Sequence, residues 1–206
     1  MSSVPAQFQQ WLQDFYRLPP LAPVDAFVVE VSHAGAETLL LRERGDELEL
    51  GLCFDPEVLA RVEARGGIRG FAWQPLEDFW TVLEGVSHFV CLGWHAANER
   101  EISALDLEVQ AEIDKFVTAW ELGRHSGLGD LAEQIHAQLF DAAGPAPQLP
   151  AELRERYSEA SRLAERYCRW LRQRHGSDVH GLREELRAFF RLPPHRRRAR
   201  IRQLPQ

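Results

Sequence analysis

Residues 104–122 read ALDLEVQAEIDKFVTAWEL, which is the clearest helix signal in the chain. Its apolar residues recur at three- and four-residue spacing, so a helix places them on one continuous face. They are Leu105, Val109, Ile113, Phe116, Val117 and Trp120. Ser103, followed three residues later by Asp106, predicts a helix start similar to a capping box. The stretch therefore predicts a long amphipathic helix packed against a core.

The polar side of this helix carries two rows of side chains at helical spacing. The first is Asp106, Gln110 and Asp114, and the second is Glu101, Glu108 and Glu112. Rows of carboxylates bind divalent cations in some proteins. An acidic helix face opposite a core is more often exposed to solvent or paired with arginine. We interpret both rows as a solvated or arginine-paired face.

Upstream of this helix, short segments predict β-strands. Residues 27–32, 37–42 and 47–54 are separated by turns at Ala34–Gly35 and Gly45–Asp46, which suit hairpins. Val86–His95 fits either a strand or a helix, and its β-branched and aromatic residues favour a fourth strand. We therefore predict an α+β fold, in which a small antiparallel sheet of about four strands is covered by helices and followed by an Arg-rich helical C-terminal segment.

Proline, glycine and capping residues divide the remainder of the chain. Helices are predicted near residues 8–16, 56–65, 76–83, 128–139, 151–175 and 181–191. Residues 142–150 contain three prolines and predict a linker without regular structure. We divide the chain into an acidic α+β domain (1–141), this linker, and an Arg-rich helical segment (151–206). The last should dock on the first, because its apolar stripes must be covered.

The charge is distributed unevenly between these parts. The net charge is -7, but residues 1–150 carry -15 and residues 151–206 carry +8. Lys115 is the only lysine, so almost all positive charge is guanidinium, which suits contacts with carboxylates and phosphates. The simplest interpretation is that the basic segment pairs with the acidic part of the same chain or of a second subunit.

The arginine-rich tail is the second candidate for a binding role. Its arginines are Arg196, Arg197, Arg198, Arg200 and Arg202. We expect these arginines to bind another protein or a second copy of the chain. A phosphate backbone is a less favoured partner, because an acidic protein repels nucleic acid at long range. No apolar run approaches the roughly 18 residues of a membrane span. Three widely spaced cysteines fit a reducing compartment. We expect a cytoplasmic protein without a membrane partner.

Histidines offer two candidate sites for chemistry, although sequence motifs for nucleotide binding, serine hydrolysis or zinc proteolysis are absent and no cofactor is indicated. Glu84, His88 and His95 form the best local group. On a strand His88 would lie among apolar residues, so a buried structural imidazole is the favoured interpretation. A hydrolase-type site is the alternative.

A weaker metal candidate combines His175, Asp178 and His180, but such residues near a helix end more often cap the helix or lie at the surface. We therefore expect a cytosolic interaction or accessory protein that acts through its acidic surface and Arg-rich helices. The first alternative is a hydrolase-type enzyme with its site around Glu84, His88 and His95. The second is a nucleic-acid-binding accessory factor that uses the Arg-rich C-terminus.

Overall fold

The computed structural model describes residues 2–29, 37–44, 47–73, 75–127, 131–141 and 149–205. The described chain contains two β-strands, β1 (Glu37–Arg44) and β2 (Glu47–Phe54). Its α-helices are α1 (Val4–Tyr16), α2 (Pro56–Ala64), α3 (Leu76–Ala97), α4 (Ala104–His125), α5 (Ala132–His136), α6 (Ala151–His175), α7 (Val179–Arg191) and α8 (Pro194–Gln203). The fold is thus mostly helical with a small sheet.

The sheet is smaller than the sequence predicts. β1 and β2 pair antiparallel, with Glu37 opposite Phe54. Of the strand expected at residues 27–32, Val28 forms an isolated bridge to Leu52, and the second half of the segment lies outside the described residues. The two predicted turns, at Ala34–Gly35 and Gly45–Asp46, also lie outside them. About four strands was therefore an overestimate for the described part of the chain.

The fourth predicted strand, Val86–His95, is wrong. These residues form the second half of α3, a helix of 22 residues. The helix contacts α1 on one side, α4 on another and the sheet on a third, so its apolar residues are buried almost all the way round. A helix buried on several sides loses the 3.6-residue pattern that distinguishes it from a strand. Its β-branched and aromatic residues then misled the prediction, because β-propensity largely reflects burial.

The predicted helix over residues 104–122 is confirmed as α4. Ser103 Oγ accepts a hydrogen bond from Asp106 N at 3.2 Å, and Asp106 Oδ2 accepts one from Ser103 N at 3.3 Å, which completes the capping box. α4 returns beside α3 after a short connection, and Trp80 near the start of α3 bonds the carbonyl of Lys115. The two helices therefore lie antiparallel at the centre of the fold.

The last three helices pack on this central pair and on α1. The apolar stripe of α6 lies against α4, with Tyr167 stacked on Phe189 of α7 at 4.1 Å between ring centroids. Phe190 of α7 stacks on Tyr16 at the end of α1, at 4.3 Å. One hydrophobic core thus includes residues from both sides of the proposed linker. The division into two domains stays a prediction, since residues 142–148 lie outside the described chain. Within the described part, no helix is long and apolar enough to span a membrane.

Candidate functional site

Helices α3 and α4 together carry many buried polar side chains. On α3 these are Ser87, His88 and His95, and on α4 they are Asp106, Glu108, Gln110, Asp114, Lys115, Thr118 and Glu121. We call this set the polar seam. Buried charges require partners and add little stability compared with apolar residues of the same volume. A concentration of them at one helix pair is therefore a candidate functional site.

The first part of the seam, on its α6 side, brings together two carboxylates and an imidazole. Glu84 and His88 are one turn apart on α3, so they lie on the same face, and Glu108 reaches them from α4. One possible ligand atom of each residue lies within 4.8 Å of the other two. His88 Nε2 is 3.4 Å from Glu108 Oε2. We call these three residues the Glu–His–Glu cluster.

Two cations neutralise the carboxylates around this cluster. Lys115 Nζ lies 2.6 Å from Glu84 Oε2 and 2.8 Å from Glu112 Oε1. Arg156 of α6 lies 3.4 Å from Glu108 Oε1. Burial alone would raise the pKa of Glu84, but Lys115 and then His88 outweigh burial and lower it. Glu84 is therefore ionised at neutral pH and available as a ligand.

The second part of the seam, on its α1 and α8 side, centres on Asp114. Ser87 Oγ donates to its Oδ2 at 2.6 Å, Gln110 Nε2 donates to its Oδ1 at 3.0 Å, and the hydroxyl of Tyr16 donates to Oδ1 as well. Burial raises the pKa of Asp114 to about 6, although these three hydrogen bonds oppose the shift. We call this group the Asp114 network.

His95 belongs to the Asp114 network and not to the Glu–His–Glu cluster. Its Nε2 lies 2.9 Å from Arg197 Nη2, and Arg197 Nη1 donates to Gln110 Oε1 at 3.0 Å. His95 Nδ1 lies 2.8 Å from the carbonyl of Cys91. Burial raises the pKa of the Cys91 thiol to about 11, so the thiol is protonated at neutral pH and is a poor nucleophile. The structure therefore brings Glu84 and His88 together, whereas His95 has a different set of partners.

The weaker metal candidate is open by comparison. His175 Nδ1 is 4.0 Å from Asp178 Oδ2, but Asp178 Oδ1 caps α7 by accepting from Gly181 N at 2.8 Å, and His180 is exposed. Over the described ranges, only the Glu–His–Glu cluster gathers three metal-ligating side chains. The loop thus has the helix-capping role that the sequence also allowed.

Four of the five tail arginines have partners within the chain. Arg197 is buried in the seam, Arg198 pairs with Asp106, Arg200 lies 2.6 Å from Glu185, and Arg202 lies 3.9 Å from Glu159. The fifth, Arg196, is exposed. Arg197 and Arg198 thus contact the acidic part of the chain, whereas Arg200 and Arg202 pair within the C-terminal segment itself.

Sequence reasoning missed Glu108 and Lys115 as members of a site. We took the acidic rows of α4 as a solvated or arginine-paired face, but Asp106, Glu108 and Asp114 are buried, and arginines reach the first two. The usable signal was the four-residue spacing of Glu84 and His88, which a helix brings onto adjacent turns, about 6 Å apart along its axis. No family model, curated protein or solved structure matches this chain.

Proposed function

We propose that this protein binds a divalent transition-metal ion between α3 and α4, with Glu84, His88 and Glu108 as ligands. The observation that carries the proposal is the proximity of their ligand atoms, all within 4.8 Å of one another. His88 and Glu108 are also buried, so their side chains are held in place before a metal arrives. Ligands on two packed helices form a more rigid site than ligands on loops.

The ligand chemistry favours zinc, manganese or iron over magnesium and calcium. Imidazole suits first-row transition metals, whereas magnesium and calcium prefer oxygen ligands alone. Lys115 and Arg156 contact the carboxylates from outside, in the position of residues that orient metal ligands. Three protein ligands leave coordination positions open, and a metal-bound water is the usual nucleophile of metallohydrolases. A metal-dependent hydrolase-type activity is the enzyme class that fits this proposal.

A purely structural ion cluster is the competing explanation. Lys115 already neutralises Glu84 and Glu112, and a buried His–Glu pair needs no metal to persist. The two explanations differ in one measurable property, which is stoichiometric metal binding that depends on His88. Interaction with another protein or a second copy, and the less favoured binding of nucleic acid, stay predictions. The internal pairing of most tail arginines gives them no added support.

The test is calorimetric titration of the full, metal-stripped chain with Zn²⁺ and Mn²⁺, combined with the absorption spectrum after Co²⁺ is added. We expect one ion per chain for wild type, loss of binding in His88→Gln, and binding weakened at least tenfold in Glu108→Gln. His180→Gln is the matched control, because it removes an exposed histidine from the weaker candidate site. Circular dichroism checks that each variant is folded. Unchanged binding in both cluster variants would refute the proposal.

A further inference from the structure

Helix α8 is held on the rest of the protein by one buried guanidinium, one buried isoleucine and the ion pairs of Arg198, Arg200 and Arg202. Arg197 and Ile201 are the buried residues of this helix, and Arg197 is 3% exposed. Its Nε donates to the carbonyl of Leu192 at 3.0 Å, and its two Nη atoms reach Gln110 and His95. Because α8 buries so few apolar side chains, these polar contacts carry much of its docking.

The contact with His95 requires a neutral imidazole. A carbonyl only accepts hydrogen bonds, so Nδ1 of His95, 2.8 Å from the Cys91 carbonyl, carries the ring hydrogen. Nε2 then has a free lone pair, which accepts from Arg197 Nη2 at 2.9 Å. A second proton on the ring would place an N–H against an N–H and two positive charges in direct contact. His95 is 0% exposed, so water screens this repulsion poorly.

We propose that α8 is an acid-sensitive switch, in which protonation of His95 breaks the contact with Arg197 and releases α8 from α3 and α4. The double proline Pro193–Pro194 lies between α7 and α8, and Leu192 before it is extended, so α8 can move without unfolding α7. Release would expose the arginine-rich helix together with its seat on the polar seam. This inference does not depend on the proposed metal site.

The charged groups around His95 do not compensate a second proton. Arg197 faces the ring from α8, and Arg100 approaches it from the end of α3. Asp106 of α4 is the nearby carboxylate, but it is already paired with Arg198. From α3 itself the neighbour is the protonated thiol of Cys91. Burial first, and the arginines second, lower the pKa of His95 in the docked state.

The sign of the pH effect follows from comparing docked with released α8. A histidine in contact with water has a pKa near 6.5. Because the docked value is lower, docking is complete above about pH 6.5 and weakens as the pH falls below it. A groove of about 660 Å³, lined by Pro194, His195 and Arg198 among others, brings water to the edge of the α8 seat.

Hydrogen exchange of the full chain, read by mass spectrometry and corrected for intrinsic exchange rates, tests the switch. The readout is the opening constant of residues 194–203, with residues 179–191 as internal reference. We expect it to rise as the pH falls from 6.5 to 5.0, by at most about tenfold per pH unit because release is coupled to the uptake of one proton. The reference segment should change much less.

Two variants remove the repulsion in different ways. His95→Gln keeps a hydrogen-bond acceptor but cannot be protonated, so it should make the opening constant of 194–203 independent of pH. Arg197→Met removes the cation but leaves His95 buried, so it should make the rise with falling pH smaller than in wild type. His180→Gln is the control and should behave as wild type. A pH-independent opening constant in wild type, or the wild-type rise in either folded variant, overturns the proposal. If His95→Gln does not fold, wild type and Arg197→Met still decide the question.

Discussion

Replacement of Phe189 by alanine tests what holds the C-terminal helices on the rest of the protein. Phe189 is 1% exposed and stacks on Tyr167 of α6, with ring centroids 4.1 Å apart. Arg187, two residues earlier on α7, donates from Nε to the carbonyl of Phe15 at 2.7 Å and pairs with Glu184 at 2.7 Å. The two side chains thus represent apolar packing and polar pairing on the same helix.

The expected magnitudes differ clearly. Truncation of a buried phenylalanine removes about 3–5 kcal/mol from the free energy of unfolding, and loss of the aromatic stack adds about 0.5–1.5 kcal/mol. Arg187→Ala should cost only about 1–2 kcal/mol, because its Glu184 partner is half exposed and its main loss is one charge-assisted hydrogen bond. Phe189→Ala should therefore lower Tm by about 7–26 °C and Arg187→Ala by about 2–8 °C.

The assay is urea unfolding of both variants, combined with limited proteolysis at low and at 1 M salt. We expect Phe189→Ala to release the segment after α5 to protease at either ionic strength. Salt alone should leave wild type protected, because 1 M salt, with a screening length of about 3 Å, weakens exposed ion pairs but not the apolar contacts that hold the segment. Greater sensitivity of Arg187→Ala, or release of wild type by salt, would show that charge holds the segment and would refute this reasoning.

Three further outcomes are expected from single substitutions, each measured by urea unfolding. Lys115→Met leaves the half-buried carboxylates of Glu84 and Glu112 without their ammonium partner and should lower the free energy of unfolding by about 3–5 kcal/mol. Adding Glu84→Gln should restore part of that stability, and no restoration would contradict the ion-pair assignment. Burial raises the pKa of Asp114 to about 6, so the folded protein holds this proton more tightly than the unfolded chain does. The free energy of unfolding should therefore fall by about 3 kcal/mol as the pH rises from about 4 to 6. Asp114→Asn should remove this pH dependence, and an unchanged pH profile would contradict the assignment. Ser103→Ala removes the cap of α4 and should cost about 1 kcal/mol, whereas the exposed Ser158→Ala should change stability by less than about 0.5 kcal/mol.

Much of the helical architecture was predictable from local pattern. α4 begins at the capping residues identified in the sequence, and α2 lies within the helix predicted near residues 56–65, with Asp55 as its cap. Each of these signals involves residues within one or two helical turns. A cap and an apolar stripe can therefore be recognised in the sequence without the rest of the chain. The β1–β2 hairpin follows from the same kind of local alternation.

The candidate site was predictable only in part. Glu84 and His88 were singled out by residue type, but the strand predicted for Val86–His95 gave no reason to place His88 beside Glu108, and His95 was grouped with them although it faces Arg197. Residues four apart lie on one face of either element, but a helix separates them by about 6 Å along its axis, whereas a strand separates them by about 13 Å. The error in secondary structure therefore became an error in which side chains converge.

The sequence by itself determined where most helices begin and end, that the protein has an acidic and an arginine-rich part, and which residue types were available for chemistry. Only the tertiary structure decided that Val86–His95 is helical, that Asp114 and Glu108 are buried, and that Arg197 enters the polar seam. Helix signals are local, but burial depends on which elements surround a residue. A carboxylate on the polar face of a helix faces water or the core according to whether another helix packs on that face, and that choice is made by the apolar contacts of the whole chain.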